Sequence, residues 1–466
     1  MAPSIPTETF PSIFMHLSLF DLVRVSLVSR YWRSICLDTP SLWTGIDTAG
    51  CKKSFLDAIA VRSGTLPLSI ESNTNYLFCG SPLSMADALE SVSEEHVMLV
   101  YLPRLMPRVK TLLLYDFNHT LGYILRHPAP VLEVLILSAG DGHLCDRAFR
   151  GQSGTIAPSF PALKKLALSS ITFCGGFELC QLLAVCPRLE ELVFEFPDDV
   201  ELPPGARFLP GPITDYAPRV RKVVLVGEPG ETGPNIALLN SVREVFIDIP
   251  YDVDVSNPQE SLGLVCVLFG RRPSNSPVVS LEVTNDGAIE IQTKSGFERT
   301  LCTQNGPCSP NAYACLLTRL GLFNTLVQMR LDISICGPAL INGGNPPPAP
   351  NLEKLFLENC APLIRLGVSC PRWDCPNLWA MVLVGGGCDC EGCATHLCPG
   401  RTLTEKIQLS TLRGFLNSFF GFSETQVLAL LSLRGIELEG IAGSASTAHG
   451  LPVLVFEPSD SDLADF

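Results

Sequence analysis

Charge is scarce in this chain. Asp, Glu, Lys and Arg make up only 17% of its 466 residues, and the 33 basic side chains are outnumbered by 47 acidic ones, for a formal net charge of −14. No run of Lys and Arg is long enough to track a phosphate backbone, which argues against nucleic-acid binding. Long apolar runs are missing too. The longest, such as LGLVCVLFG (262–270), fall well short of the roughly 20 residues that a membrane span takes. No basic flank followed by an apolar run stands at the amino terminus. The expectation is a chain with no membrane partner, placed in the cytoplasm and/or the nucleus. The marks of familiar catalysts are absent as well. There is no GxSxG elbow and no HExxH helix, and GEPGETG (227–233) lacks the Lys-Ser or Lys-Thr ending of a phosphate loop. The seven histidines are scattered. The sequence is therefore not read as an enzyme, and no cofactor is expected.

What the chain does have is apolar bulk. Hydrophobic residues make up 46% of it, enough to bury a large core. The length allows roughly three ordinary domains, or one small domain joined to a long repetitive one. The cysteine count is 19, odd, with several inside apolar runs (Cys266, Cys315). In a chain without an export signal this predicts reduced thiols that pack as small hydrophobes. One cluster stands apart: GGGCDCEGCATHLCPG (385–400) brings Cys388, Cys390, Cys393, His396 and Cys398 within eleven residues. That spacing suits a tetrahedral zinc ion, but such a site draws its second ligand pair from a distant element, and only Cys370 and Cys375 are on offer. A plain reduced loop and a zinc loop both stay open, the former favoured.

The first 47 residues are unlike the rest. In IPTETFPSIFMHLSLFDLVRVSLVSRYWRSICLDTPSLWTGI (5–46), Pro6 can open a helix with Glu8 near its positive end, and Phe10, Ile13, Phe14 and Leu17 fall on one face. A second short helix after Ser18 would carry Leu22, Val25 and Val28, with Asp21 near its start, and a third from about Ser29 to Leu37 would turn Trp32 and Ile35 inward. Three helices of this length bury too little surface to be comfortable alone, and their apolar positions occupy more than one face. Some of those side chains are expected to stay exposed for a protein partner.

In order and spacing this segment resembles an F-box, of the fungal type followed by leucine-rich segments. Ile5 and Pro6 correspond to the family's opening Leu-Pro, Glu8 to the acid after it, and Ile13, Phe14 and Leu17 to its first helix. Leu19, Asp21, Leu22, Val25, Ser26, Leu27, Val28 and Trp32 correspond to its second and third helices, and Leu42 with Trp43 to its closing pair. The segment departs from the family in two places, Ile5 for Leu and Pro11 within the first helix, where a deep position would cost up to ~3 kcal/mol. The resemblance implies docking on a Skp-family adaptor, and through it on cullin and RING subunits. The residues implied for that contact or its support are Ile5, Pro6, Leu17, Leu19, Leu22, Val25, Ser26, Val28 and Trp32.

A second pattern fills the remainder. MPRVKTLLLYD (106–116), APVLEVLILSA (129–139), FPALKKLALSS (160–170), CPRLEELVFEF (186–196), APRVRKVVLVG (217–227), SPVVSLEVTND (276–286), APNLEKLFLEN (349–359) and CPNLWAMVLVG (375–385) share a proline, then apolar positions of period two. SVREVFIDI and TLVQMRLDI are proline-free versions. Each predicts a strand with one face inward. Proline spacings of 23, 31, 26, 31 and 26 residues leave room for one strand and one short helix or loop per unit. Helices are expected at 175–186, at 311–323, and at 423–433 behind a Ser423/Gln426 capping box. The pattern PxLxxLxL resembles irregular leucine-rich repeats, with the expected asparagine or cysteine ladder patchy, as at Asn359-Cys360. The acidic strand residues Glu195, Asp248, Glu282, Asp332 and Glu358 fit either a solvated face or a basic target.

The expected fold is α/β: a small N-terminal three-helix F-box joined to a curved leucine-rich-repeat-like solenoid with a parallel strand array. The boundaries expected are 1–47 for the helical domain, 48–105 for a linker to the first repeat, 106–440 for the solenoid and 441–466 for a flexible acidic tail. The function this implies is that of a non-catalytic substrate adaptor of a ubiquitin ligase, with an unknown target protein. The alternative is an interaction scaffold that uses the helical domain for another partner.

Overall fold

The computed structural model describes residues 9–48, 53–73, 101–115, 127–138, 143–144, 160–169, 172–173, 176–196, 211–227, 237–249, 263, 265, 268–269, 276–284, 286–303, 308, 312–313, 322–342, 348–366, 372–385, 405–420, 428–434 and 436–439. The chain divides into two compact units, 1–225 and 226–466.

The first unit opens with three helices, α1 (Thr9–Phe14), α2 (Leu19–Ser26) and α3 (Arg30–Asp38), then a 3-10 turn at Pro40–Trp43. Strand β1 (Gly45–Asp47), helix α4 (Lys53–Arg62) and strands β2 (Leu68–Asn73), β3 (Val109–Tyr115), β4 (Val134–Ser138) and β5 (His143–Leu144) follow. After them come β6 (Lys165–Ser169), β7 (Thr172–Phe173), helix α5 (Gly176–Ala184), β8 (Glu191–Glu195) and β9 (Lys222–Val226). The sheet order is β1-β2-β3-β4-β6-β8-β9, parallel wherever register is defined, from Gly45 opposite Ser69 to Lys165 opposite Glu191. The short β5 and β7 pair with each other.

The expected proline pattern is the device that starts these strands. In Ala129-Pro130-Val131-Leu132, Phe160-Pro161-Ala162-Leu163, Cys186-Pro187-Arg188-Leu189 and Ala217-Pro218-Arg219-Val220, the fourth residue donates its N–H to the carbonyl of the first at 3.1 to 3.2 Å. Each is a β-turn with proline second, where its fixed φ is already correct. The first and fourth residues of each turn are buried, which explains the small or apolar residue ahead of proline and the Leu or Val after it. One residue on, the chain steps onto its neighbour: Glu133 N–H donates to Lys110 O, Lys164 to Glu133, Glu190 to Lys164 and Arg221 to Glu190. Period two then sends Leu112 and Leu114, Leu135 and Leu137, Leu166 and Leu168, Leu192 and Phe194, and Val223 and Leu225 into the core.

The second unit contains β10 (Glu244–Ile249), β11 (Val278–Val283), β12 (Ile289–Thr293), β13 (Glu298–Thr303) and β14 (Gln328–Asp332). Helix α6 (Ile333–Asn342), β15 (Lys354–Glu358), α7 (Ala361–Leu366), β16 (Ala380–Val384), β17 (Glu405–Gln408), α8 (Leu409–Phe415), β18 (Leu430–Arg434) and β19 (Ile436–Glu439) complete it. Its main sheet runs β10-β13-β12-β11-β14-β15-β16-β18, and β17 pairs with β19. The proline turn recurs at Ala349–Leu352 and Cys375–Leu378. Asn351 Nδ2 donates to Asn324 O and Asn377 Nδ2 to Pro350 O, both at 2.6 Å, so each turn is tied to the one before it. Where the second unit keeps a ladder, it is thus made by turn asparagines. Asn359 serves otherwise: with φ of 50°, it donates from Nδ2 to the buried Asp332 carboxylate.

Three expectations are corrected in this unit. The strand array is not parallel throughout: β12 lies antiparallel between β11 and β13, because two tight turns reverse the chain, one closed by Thr284 N–H to Ala288 O with Gly287 at φ 86° and one at Lys294-Ser295-Gly296 with Gly296 at φ 77°. The segment expected as a helix at 423–433 holds strand β18, whose Leu431 and Leu433 alternate into the core beside β16. Asp332, counted among surface acids, is fully buried and accepts from Ser334 N–H at 2.8 Å and from Asn359. Glu282 and Glu358 do face outward, but both pair with Arg330, at 3.1 and 2.5 Å, so they are no free attraction for a basic target.

Candidate protein-docking surface

Local chemistry sets the three amino-terminal helices before any packing does. Ser18 caps α2: its Oγ accepts from the Asp21 N–H at 3.1 Å, satisfying one orphan donor of the first turn, and donates to the Asp21 carboxylate at 2.7 Å. Ser18 and then Arg24, bonded to Asp21 at 3.0 Å, hold the Asp21 carboxyl below its ordinary pKa. Ser29 caps α3 by accepting from the Trp32 N–H at 3.1 Å. Pro11 is the third residue of α1, within the first turn, where its missing N–H breaks no helical bond, so the departure from the family pattern carries little cost.

The module closes on a small aromatic core. Trp43 is fully buried, donates from Nε1 to Cys36 O at 2.7 Å, and lies under the Arg62 guanidinium at 4.4 Å. Phe14 packs against Phe10 and Trp32, with ring centroids 5.8 and 5.7 Å away. Leu19 and Leu22 are buried, Leu22 to 1% exposure. Leu17, Val25, Ser26 and Trp32 are half-buried, and the Ser26 hydroxyl is turned inward to Val23 O at 2.6 Å. Val28 lies past the end of α2, in the turn to α3 rather than on the helix where it was expected, and is 65% exposed. Ile5 and Pro6 lie outside the described residues.

The outward surface of the same module is greasy. Of the eleven large apolar side chains exposed among the described residues, seven fall between Ile13 and Leu37: Ile13, Met15, Phe20, Leu27, Val28, Tyr31 and Leu37. Leu27 was matched to the family pattern without a contact role, and Met15, Phe20, Tyr31 and Leu37 were not assigned one either. The available signal was the surplus of apolar residues left once one face of each helix is assigned to the core, and that signal marks no individual position. An apolar surface so concentrated marks a protein-interaction site.

Residues 2–49 match the F-box-like family. This F-box-like domain, 48 residues at one end of the chain, carries an involvement in protein interaction or in ubiquitin ligases, generally without catalysis of its own. The family match ends at residue 49, and no curated protein matches the chain.

Among the described residues, the F-box-like domain is where the sequence-predicted site residues can be set against geometry. Cys388, Cys390, Cys393, His396 and Cys398 lie outside the described residues, as does Cys370. Cys375, the other distant thiol, is the buried first residue of a proline turn, its pKa pushed up to about 12 by burial. Among the described residues, no group of His, Cys, Asp and Glu is placed to hold a metal ion.

Proposed function

We propose that the chain is the substrate-recognition subunit of a Skp–cullin–F-box ubiquitin ligase. The F-box-like domain docks on the Skp-family adaptor, cullin and RING subunits follow through that adaptor, and the strand units bind the target protein. The observation that carries this reading is the crowding of exposed Met15, Leu27, Val28 and their neighbours onto the segment that matches the family.

For the target-binding half, support comes from the recurring proline turn and its parallel strands, the pattern expected of a leucine-rich-repeat-like solenoid over 106–440, with 48–105 as connection and 441–466 as acidic tail. Stacked units of that kind offer a broad, shallow face suited to proteins. In the first unit Leu113, Ile136, Ala167 and Val193 run in register from strand to strand on the face opposite the core leucines; Ala167 is buried and the other three are half-buried. The protein itself catalyses nothing in this scheme. It raises the effective concentration of a target lysine near the charged conjugating enzyme and orients it.

Co-purification of the full chain with the adaptor tests the proposal. Val28→Asp should remove the adaptor while leaving the melting temperature unchanged. Leu22→Asp should remove it by unfolding the module, because Leu22 is inside. Wild-type recovery of the adaptor by Val28→Asp would refute the docking assignment, and recovery of adaptor without cullin from wild type would move the reading to an interaction scaffold.

A further inference from the structure

The apolar surface does not end with the F-box-like domain. Phe20, 47% exposed at the start of α2, stacks on Phe55 of α4, the ring centroids 6.0 Å apart and the planes at 17°. Helix α4 sends Leu56 and Ile59 into the core. Residues three apart are neighbours on a helix surface, so Phe55, Ala58 and Val61 form a second stripe away from that core. It begins at the Phe20 ring and ends at Val61, which at 79% is the most exposed large apolar side chain among the described residues. Two charged side chains of α4 are drawn off the stripe: Asp57 accepts from the Tyr101 hydroxyl at 3.2 Å, and Arg62 lies over the Trp43 ring. The family match stops at residue 49 and gives no reason for an apolar exterior on α4.

We propose that α4 is the second half of the docking surface, so that the adaptor seated on α1–α3 also lays an apolar helical face along Phe55, Ala58 and Val61. The inference rests on the docking role proposed above. Two arguments favour the same occupant over a different one. The Phe20–Phe55 stack makes the two apolar surfaces continuous. A stable interface also takes roughly 20–30 residues a side. With Phe14, Leu19, Leu22 and Cys36 inside, the residues of Thr9–Asp38 that stay outside are spread over more than one face of three helices, so a single partner does not reach them all, and α4 adds to what it can cover.

The test is calorimetric titration of the purified full chain with a Skp-family adaptor, comparing wild type, Val28→Asp, Val61→Asp and Val61→Leu, with thermal melts of all four. Val61→Asp should weaken binding roughly tenfold at an unchanged melting temperature, since the side chain leaves no core behind, and Val61→Leu should bind as wild type does. Wild-type affinity in Val61→Asp together with loss in Val28→Asp overturns the α4 inference and leaves the docking role standing. A wild-type chain that fails to bind the adaptor overturns both. If Val61→Asp keeps its affinity for adaptor but dissolves a wild-type dimer seen by light scattering, the stripe belongs to a second copy and the inference is likewise overturned.

Discussion

Leu22 and Val28 sit six residues apart, are both aliphatic, and have opposite fates: 1% and 65% exposed. Truncating Leu22 to Ala opens a cavity in a module with little core to spare, at a cost of about 2–5 kcal/mol, and should lower the melting temperature of the first unit. Truncating Val28 to Ala should leave the melt alone and weaken adaptor binding, so a lowered melt in the second variant, or an unchanged melt in the first, would contradict the assignment. The sequence told that both are apolar and at helical spacing. It did not tell which one faces a partner, because helices greasy on two sides give the same periodicity whichever side is inside. Cysteines read more cleanly. Burial pushes the thiols of Cys186, Cys308, Cys360 and Cys375 up to about 12, so only about one in ten thousand is thiolate near pH 8, the form that reacts. Mass-mapped alkylation of the native protein should leave these four unlabelled, and denaturant should expose them all. Labelling of any of them at the rate of a free thiol would mean that its surroundings open.

At the scale of elements, what could be read was whatever local chemistry enforces. A proline at the second turn position followed by alternating Leu fixes both the turn and the face of the strand, and Leu135, Leu166, Leu192 and Leu355 are buried as that alternation demands. What escaped was decided by pairing. LLSLR at β18 is apolar enough for a helix, and only the neighbouring β16 makes it a strand. The β12–β13 hairpin has its own signal, a Lys-Ser-Gly turn between alternating runs, but it interrupts the one-strand-per-proline spacing of its neighbours. The antiparallel pairing of β12 with β11 sets Glu290 directly across from Glu282, and β13 on its other side carries Glu298. Burial first, and then these two carboxylates, hold the Glu290 pKa above its ordinary value. The folded chain therefore binds this proton more tightly than the unfolded chain, so the residue stabilises in acid and that contribution is lost as pH rises through its folded pKa. Glu290→Gln should raise stability at neutral pH by a few tenths of a kcal/mol, the scale of an opposed like-charge pair on a sheet. The gain should vanish by about pH 4, where the wild-type carboxyl is itself protonated. A gain of equal size at both pH values would mean that shape, and not charge, sets the effect.

At the scale of the whole molecule, a net charge of −14 invites the idea that electrostatics choose the partners, yet the sites that stand out are not charged. Arg24 is committed to Asp21 and Arg62 to Trp43, while Arg330 sits between Glu282 and Glu358. The side chains left over at the amino terminus are Ile13, Met15, Leu27 and Val28. Association through such a surface draws its free energy from removing hydrocarbon from water, and its marker is a negative heat-capacity change. Salt screens interactions between exposed charges over about 10 Å at 0.1 M and has little hold on apolar burial. Titrations of the full chain with a Skp-family adaptor over a range of temperatures should therefore give a clearly negative heat-capacity change. The affinity should vary less than about threefold between 50 and 500 mM salt, any loss residing in the association rate. An affinity that falls tenfold or more over that range would mean that the net charge of the molecule, and not the apolar surface of its first helices, is what brings the partner in.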